Sequence, residues 1–291
     1  MKLLTFNVHS QPDAAPAPLH ALVRGILAEM PDVIALQEVN QSADAPLADA
    51  SLLEGLFPLQ TSVPLRADNH AARAARLLRL CGIACSWVYL PMKRGYDRYD
   101  EGLALLALNR RITWAESRLL SRSAAYDSWK TRYALAVRVE GLTDWFCCLH
   151  MGRCGDEAEP FAAQWRALST FADAAGAGPR WLMGDFNAPA GQRGEGYDLI
   201  AASGWHDAWV LARQRLGHAT ISGPIDGWQD SPGGLRIDHI WCSRPAEIST
   251  AITLFDGLRH PVISDHFGVM IDAQTGTSPA FPDSGNPSRT P

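Results

Sequence analysis

Several apolar, strand-like runs of this 291-residue chain end in a carboxylate, an amide or an imidazole: Asn7, Glu38, His150, Asp185 with Asn187, Asp238, and Asp265 with His266. An Asp or Asn after a strand is commonly a turn former or helix cap, so any one of them alone favours the plain reading. Together they are the set that metal-assisted attack on a phosphorus ester requires. A hard divalent cation, Mg²⁺ or Mn²⁺, takes one or two carboxylates plus phosphate oxygens, for which Glu38 and Asp265 suffice. Asp185 suits the base that deprotonates water, and Asn187 can hold the nucleophile or a phosphate oxygen. His150 and His266 offset phosphoryl charge only as imidazolium, which needs a carboxylate beside each. The expected pairs are Glu101 with His150 and Asp238 with His266.

The elements that must position these groups follow from periodicity. Leu3 to Val8 is a strand ending near Asn7, and Asp32 to Glu38 is a buried strand. Leu19, Leu22, Val23, Ile26, Leu27 and Met30 make one helical stripe that Pro31 stops. Helical spacing recurs over 70–80 and 158–174, the second with Phe161, Trp165, Leu168 and Phe171 on or near one stripe. Strands are expected over 83–90, 103–108, 133–139, 145–149, 181–183, 236–242, 251–255 and 267–271. Strands mixed with helices indicate an α/β or α+β layered domain over 1–273. The Ser-, Pro- and Gly-rich segment 274–291 reads as a disordered tail.

Composition narrows the function classes. Apolar residues make up 47% of the chain, enough for a sizeable core, and 26 Lys plus Arg against 31 Asp plus Glu give a net charge of −5. That balance, with no basic run, disfavours nucleic acid as a partner. No apolar run is long enough to cross a bilayer, no secretory signal is evident, and the six cysteines have no regular framework, so a reduced, cytoplasmic protein is expected. Cys147, Cys148, His150 and Cys154 could suggest zinc, but strand alternation sends Cys147 away from His150. His239 should likewise point opposite Asp238, whereas His9 is near enough to Asn7 to approach the site.

These residues resemble the endonuclease/exonuclease/phosphatase superfamily over nearly the whole chain. The segments are LTFNVHS with Asn7, DVIALQEVN with Glu38, YDEGLALL with Glu101, WFCCLHMG with His150, GDFNAP with Asp185 and Asn187, RIDHIW with Asp238, and SDHFGV with Asp265 and His266. The resemblance implies a four-layered α/β sandwich, two central mixed β-sheets flanked by helices, with the site at one end of the sheets. It implies catalytic roles for Asn7, Glu101, His150, Asp185, Asn187, Asp238 and His266, and metal ligation by Glu38, Asp265 and Asn7.

Other segments resemble the bacterial maltose 6′-phosphate phosphatase-like group: DNHA from Asp68, RGYDRYDEGLA from Arg94, Trp129 to Arg132, EPFAAQW from Glu159, RGEGYD from Arg193 and IDGW from Ile225. A sugar-phosphate pocket needs cations, hydroxyl-binding groups and an aromatic face. Candidates are Lys130, Arg132 and Arg193 for the anion, Glu195 and Asp226 for hydroxyls, and Tyr197 and Trp228 for stacking. Core packing is an equal reading for Trp129 and Trp228. Arg153 and Cys154 depart from the group's pattern, where aromatic residues are expected. A small phosphorylated sugar is thus the expected partner, with no obligate protein partner evident. A nuclease or other phosphodiesterase using the same site is the alternative, and a silent interaction domain is disfavoured by the intact polar set.

Overall fold

The computed structural model describes residues 1–11, 16–225, 228–229 and 234–274. The strands, numbered along the chain, are β1 (Lys2–Asn7), β2 (Val33–Ser42), β3 (Cys85–Gly95), β4 (Tyr99–Leu108), β5 (Ile112–Leu119), β6 (Tyr133–Val139), β7 (Trp145–His150), β8 (Arg180–Asp185), β9 (His206–Asp207), β10 (Gln214–Leu216), β11 (Asp238–Cys242), β12 (Ile248–Leu254) and β13 (Gly268–Ala273). The helices are α1 (Ala17–Glu29), α2 (Ala50–Leu53), α3 (His70–Leu80), α4 (Phe161–Ala174), α5 (Gly196–Ala202) and α6 (Ala208–Leu211).

Among the described residues the strands form a seven-stranded sheet, β10-β12-β13-β1-β2-β4-β3, and a six-stranded sheet, β5-β6-β7-β8-β11-β9. Both are mixed, because β1–β2, β10–β12 and β7–β8 run parallel while the other pairs run antiparallel. Alternation along each strand assigns its residues to separate cores. Leu3, Val33, Ala35, Leu105, Val137, Phe146, Met183 and Ile240 belong to the core shared by the two sheets. Their neighbours Leu4, Phe6, Ile34 and Leu106 pack with Leu22, Ile26, Ala75 and Leu78 of α1 and α3. On the other side, Ala136, Cys147, Leu182 and Trp241 pack with Trp165, Leu168 and Phe171 of α4. The result is the expected four-layered sandwich. Cys147 and Cys148 fall in different cores, as alternation requires.

Helix ends follow local chemistry. Pro18 occupies the first turn of α1, and Met30 caps its C-terminus in the left-handed region before Pro31. Asn69 caps α3 by accepting from the Ala72 N–H. The structure adds β5, β9, β10, α2, α5 and α6, all absent from the sequence expectation. No helix among the described residues is long and apolar enough to cross a membrane. Residues 275–291 and Asp226 lie outside the described residues.

Candidate active site

The polar groups gather because they continue the inter-sheet face of their strands. Asn7 is in phase with Leu3, Glu101 with Leu103 and Leu105, His150 with Phe146 and Cys148, Asp185 with Trp181 and Met183, and Asp238 with Ile240. Glu38 arrives differently. The β2–β4 register shifts between Leu36 and Val39, and Glu38 sits at φ 50°, so a β-bulge turns its carboxylate towards the others.

Asn7 is the hub. Its Nδ2 donates to Glu38 Oε1 at 2.9 Å and Asp185 Oδ2 at 3.2 Å, and lies 3.5 Å from His266 Nε2. Asp238 Oδ2 meets His266 Nδ1 at 2.9 Å, the pairing expected from the sequence. Burial opposes charge on His266, but the Asp238 carboxylate outweighs it and lifts the imidazole to about 10. Asp185 is pushed up to about 7 by burial and by Asp238. Asn187, at φ 48°, donates its backbone N–H to Asp185 Oδ1 at 2.8 Å. Its side-chain Nδ2 donates to the Met151 carbonyl at 2.9 Å and faces His150 Nε2 at 3.3 Å.

The expected Glu101–His150 pair does not form. Glu101 lies opposite Lys93 in the β3–β4 register, and Lys93 Nζ sits 3.0 Å from Glu101 Oε1. His150 instead turns Nε2 towards Asp185 at 3.5 Å, while its buried Nδ1 has no hydrogen-bond partner among the described residues. Burial, then Arg132 and Lys93, hold His150 well below the usual histidine range. It is a neutral imidazole at pH 7, not the expected imidazolium.

Asp265 Oδ1 meets His9 Nδ1 at 2.9 Å, and Glu38 Oε2 lies 4.0 Å from the same nitrogen. The Asp265 hydrogen bond lifts His9 to about 9, so its ring is a cation held between two carboxylates. Glu38 is itself pushed up by burial and by Glu101. Asp185, Asp238 and His266 each offer a ligand atom within 4.8 Å of the others, and Asp238 Oδ1 is buried without a hydrogen-bond partner among the described residues. The carboxylate oxygens gathered here are hard donors of the kind a divalent metal takes. No spacing supports zinc on the cysteines: Cys148 Sγ packs on the Leu36 carbonyl at 3.3 Å and accepts from Gln37 Nε2 at 3.1 Å.

A cleft of about 780 Å³ opens over Glu38, Asp185, Asn187, Asp265 and His266. Its walls include Lys93, Arg94, Tyr96, Glu101, Trp129, Lys130, Arg132 and Arg153. Lys130 pairs with Asp156 at 2.7 Å, and buried Arg132 donates Nη1 to the Trp129 carbonyl at 2.8 Å. Trp228 is engaged otherwise than as a free stacking face: its Nε1–H donates to Asn187 Oδ1 at 3.0 Å, and the Arg153 guanidinium lies 4.3 Å from its ring centroid.

Trp228 is not among the cleft's lining residues, and three further substrate candidates are not brought to it. Arg193 pairs with Asp198 at 2.9 Å, and Glu195 accepts from Gln192 at 2.6 Å. Tyr197 is buried in the outer core, donating its hydroxyl to Asp207 at 2.8 Å. Its ring fills the space beside Trp241 and His239, which explains an aromatic there without a ligand. His239 does point away from Asp238, with Nε2 on the Ala188 carbonyl at 2.8 Å. Lys93 is a cleft residue that the sequence does not assign, while Arg153 stands at the expected departure from the group's pattern. Lys93 was detectable as a charge within an apolar strand, but its partner depended on hairpin register.

The family model for the endonuclease/exonuclease/phosphatase family matches residues 4–266. No curated protein matches the sequence. Among solved structures, a family protein from Leptotrichia buccalis is 22% identical with a TM-score of 0.78, over 94% of this chain and 100% of that one. A Bacteroides thetaiotaomicron mannosyl-6-phosphatase is 18% identical with a TM-score of 0.64, over 94% and 100%. Truncated Caenorhabditis elegans TDP2 is 16% identical with a TM-score of 0.57, over 94% and 97%. At these identities the shared property is the fold. With the family match spanning the strands that carry the clustered acids and imidazoles, the chain belongs to the endonuclease/exonuclease/phosphatase family of phosphoesterases.

Proposed function

We propose that the chain is a divalent-metal-dependent phosphomonoesterase releasing inorganic phosphate from a small sugar phosphate such as maltose 6′-phosphate. The observation that carries this reading is the single cleft in which Asp185, Asn187 and His266 share space with Lys93, Arg132 and an exposed tryptophan. Its volume of about 780 Å³ lies within the roughly 300–1,000 Å³ typical of small-molecule pockets. The acidic net charge of −5 further favours a small anion over a polyanion. The mannosyl-6-phosphatase among its structural relatives accords with this substrate class.

Glu38 and Asp265, with Asn7, would hold Mg²⁺ or Mn²⁺, since two carboxylates and an amide beside a phosphate suit a hard divalent ion. Asp238 Oδ2 is engaged with His266 Nδ1, so in this reading the pair faces the phosphoryl group while Glu38 and Asp265 serve the ion. When bound, the ion polarises a phosphoryl oxygen. Asp185, poised at about 7, takes the proton from water, and the Asn187 amide orients that water. His266 stays imidazolium and faces the negative phosphoryl oxygens, with Asp238 fixing the ring.

The test is phosphate release from maltose 6′-phosphate by the full chain with Mg²⁺, abolished by a chelator and by Asp185→Asn. Faster turnover of plasmid DNA or bis(p-nitrophenyl) phosphate would replace this reading with a phosphodiesterase.

A further inference from the structure

Trp129 is 65% exposed although it lines the same cleft as the clustered acids and imidazoles. A lone exposed aromatic on an open surface is ordinary. This one is mounted on a rigid support. Its backbone carbonyl accepts from Lys93 Nζ at 3.1 Å and from Arg132 Nη1 at 2.8 Å, and both cations are buried. The turn beneath it is closed by Ser128 N–H to the Ala125 carbonyl at 3.1 Å and Thr131 N–H to the Ser128 carbonyl at 3.1 Å. The Thr131 hydroxyl adds a bond to the Ala125 carbonyl at 2.7 Å. Lys130 Nζ lies 5.3 Å from the indole centroid and is itself tied to Asp156.

Buried charges therefore fix the main chain of a residue whose side chain stays in solvent. An indole held this way gives contact area with little ordering cost, which is what a binding platform needs. The cleft also exceeds what a phosphoryl group alone would fill, and its polar rim can accept hydroxyls.

We propose that Trp129 is a saccharide subsite: the part of the substrate beyond the phosphoryl group lays the C–H face of a sugar ring on this indole, while Lys93, Arg132 and Lys130 keep the platform in place. The proposal rests on the sugar-phosphate reading above and adds the residue that recognises the sugar. It also replaces the stacking face expected from the sequence, since Trp228 is spent on Asn187 and Trp129 is presented to ligand.

Trp129→Ala and Trp129→Phe, both retaining the clamped carbonyl, should be compared with the parent on maltose 6′-phosphate and on glycerol 3-phosphate. The expected result is a loss of about tenfold in kcat/KM on the sugar ester for Trp129→Ala, in line with one stacking contact. The loss on the glycerol ester should be several-fold smaller, and Trp129→Phe should recover most of the sugar selectivity. Equal losses on the two esters, or no loss, overturn the platform. A second measurement does not need turnover: calorimetric titration of the full chain with maltose 6′-phosphate in chelator. Weaker binding by Trp129→Ala than by the parent supports the subsite even if no monoester is hydrolysed, in which case the proposed activity alone fails. Identical titrations overturn the subsite, whatever the enzyme turns over.

Discussion

Replacing Trp228 with Phe removes the indole N–H together with its five-membered ring and keeps a six-membered aromatic ring in place. The Trp228 Nε1–H donates to Asn187 Oδ1 at 3.0 Å, while the other end of that amide donates to the Met151 carbonyl at 2.9 Å. The side chain is thus gripped at both ends, on a residue whose backbone is already in the left-handed region. A neutral hydrogen bond of this kind is worth about 1 kcal/mol net, which corresponds to roughly a fivefold change in rate if it is needed only to hold the amide in its reactive orientation. Trp228→Phe should therefore lower kcat about fivefold with KM little changed. Initial rates of phosphate release across substrate concentrations measure both. In an Asn187→Ala background the same substitution should cost almost nothing, because the group it positions is gone. A raised KM with unchanged kcat would refute the positioning role and restore Trp228 as a sugar-stacking face.

The kcat/KM profile should be bell-shaped, rising as Asp185 ionises near pH 7 and falling as His266 loses its proton near pH 10. Asp238→Asn removes the chief influence raising the His266 pKa, so its alkaline limb should move to lower pH; an unmoved limb would assign that limb to another group. Lys93→Met should lower thermal stability by about 3–5 kcal/mol, because it leaves Glu101 buried and unpaired beside Glu38. Lys93→Met combined with Glu101→Leu should recover most of that loss in a melting experiment, and failure to do so would show that the pair's charges are not its main contribution.

Much of this architecture was legible because period-two alternation is a local property. It places Asn7, His150, Asp185 and Asp238 in phase with apolar residues of the shared core, and it separates Cys147 from Cys148 without knowledge of topology. The stripe over 70–80 became α3 with the same bounds because Asn69 caps it. What alternation does not carry is a change of phase. Glu38 would face the wrong way in a regular strand, and only the bulge between Leu36 and Val39 aims it inward. Nor does it carry pairing: Glu101 was expected beside His150, but β-hairpin register put Lys93 opposite it first. Tyr197 shows the limit of reading substrate contacts from a motif, since its ring and hydroxyl are consumed by Trp241 and Asp207 in the outer layer. Short elements such as β9 and α6 are too brief to leave a periodic trace.

The division of the polar groups between the sheets has a kinetic consequence. Asn7, Glu38 and Glu101 ride on one sheet, and His150, Asp185 and Asp238 on the other. Neither half holds a working reaction centre, so during refolding turnover returns only when the two hydrophobic faces dock. Activity that returned ahead of the far-ultraviolet circular dichroism signal of the sheets would contradict this division.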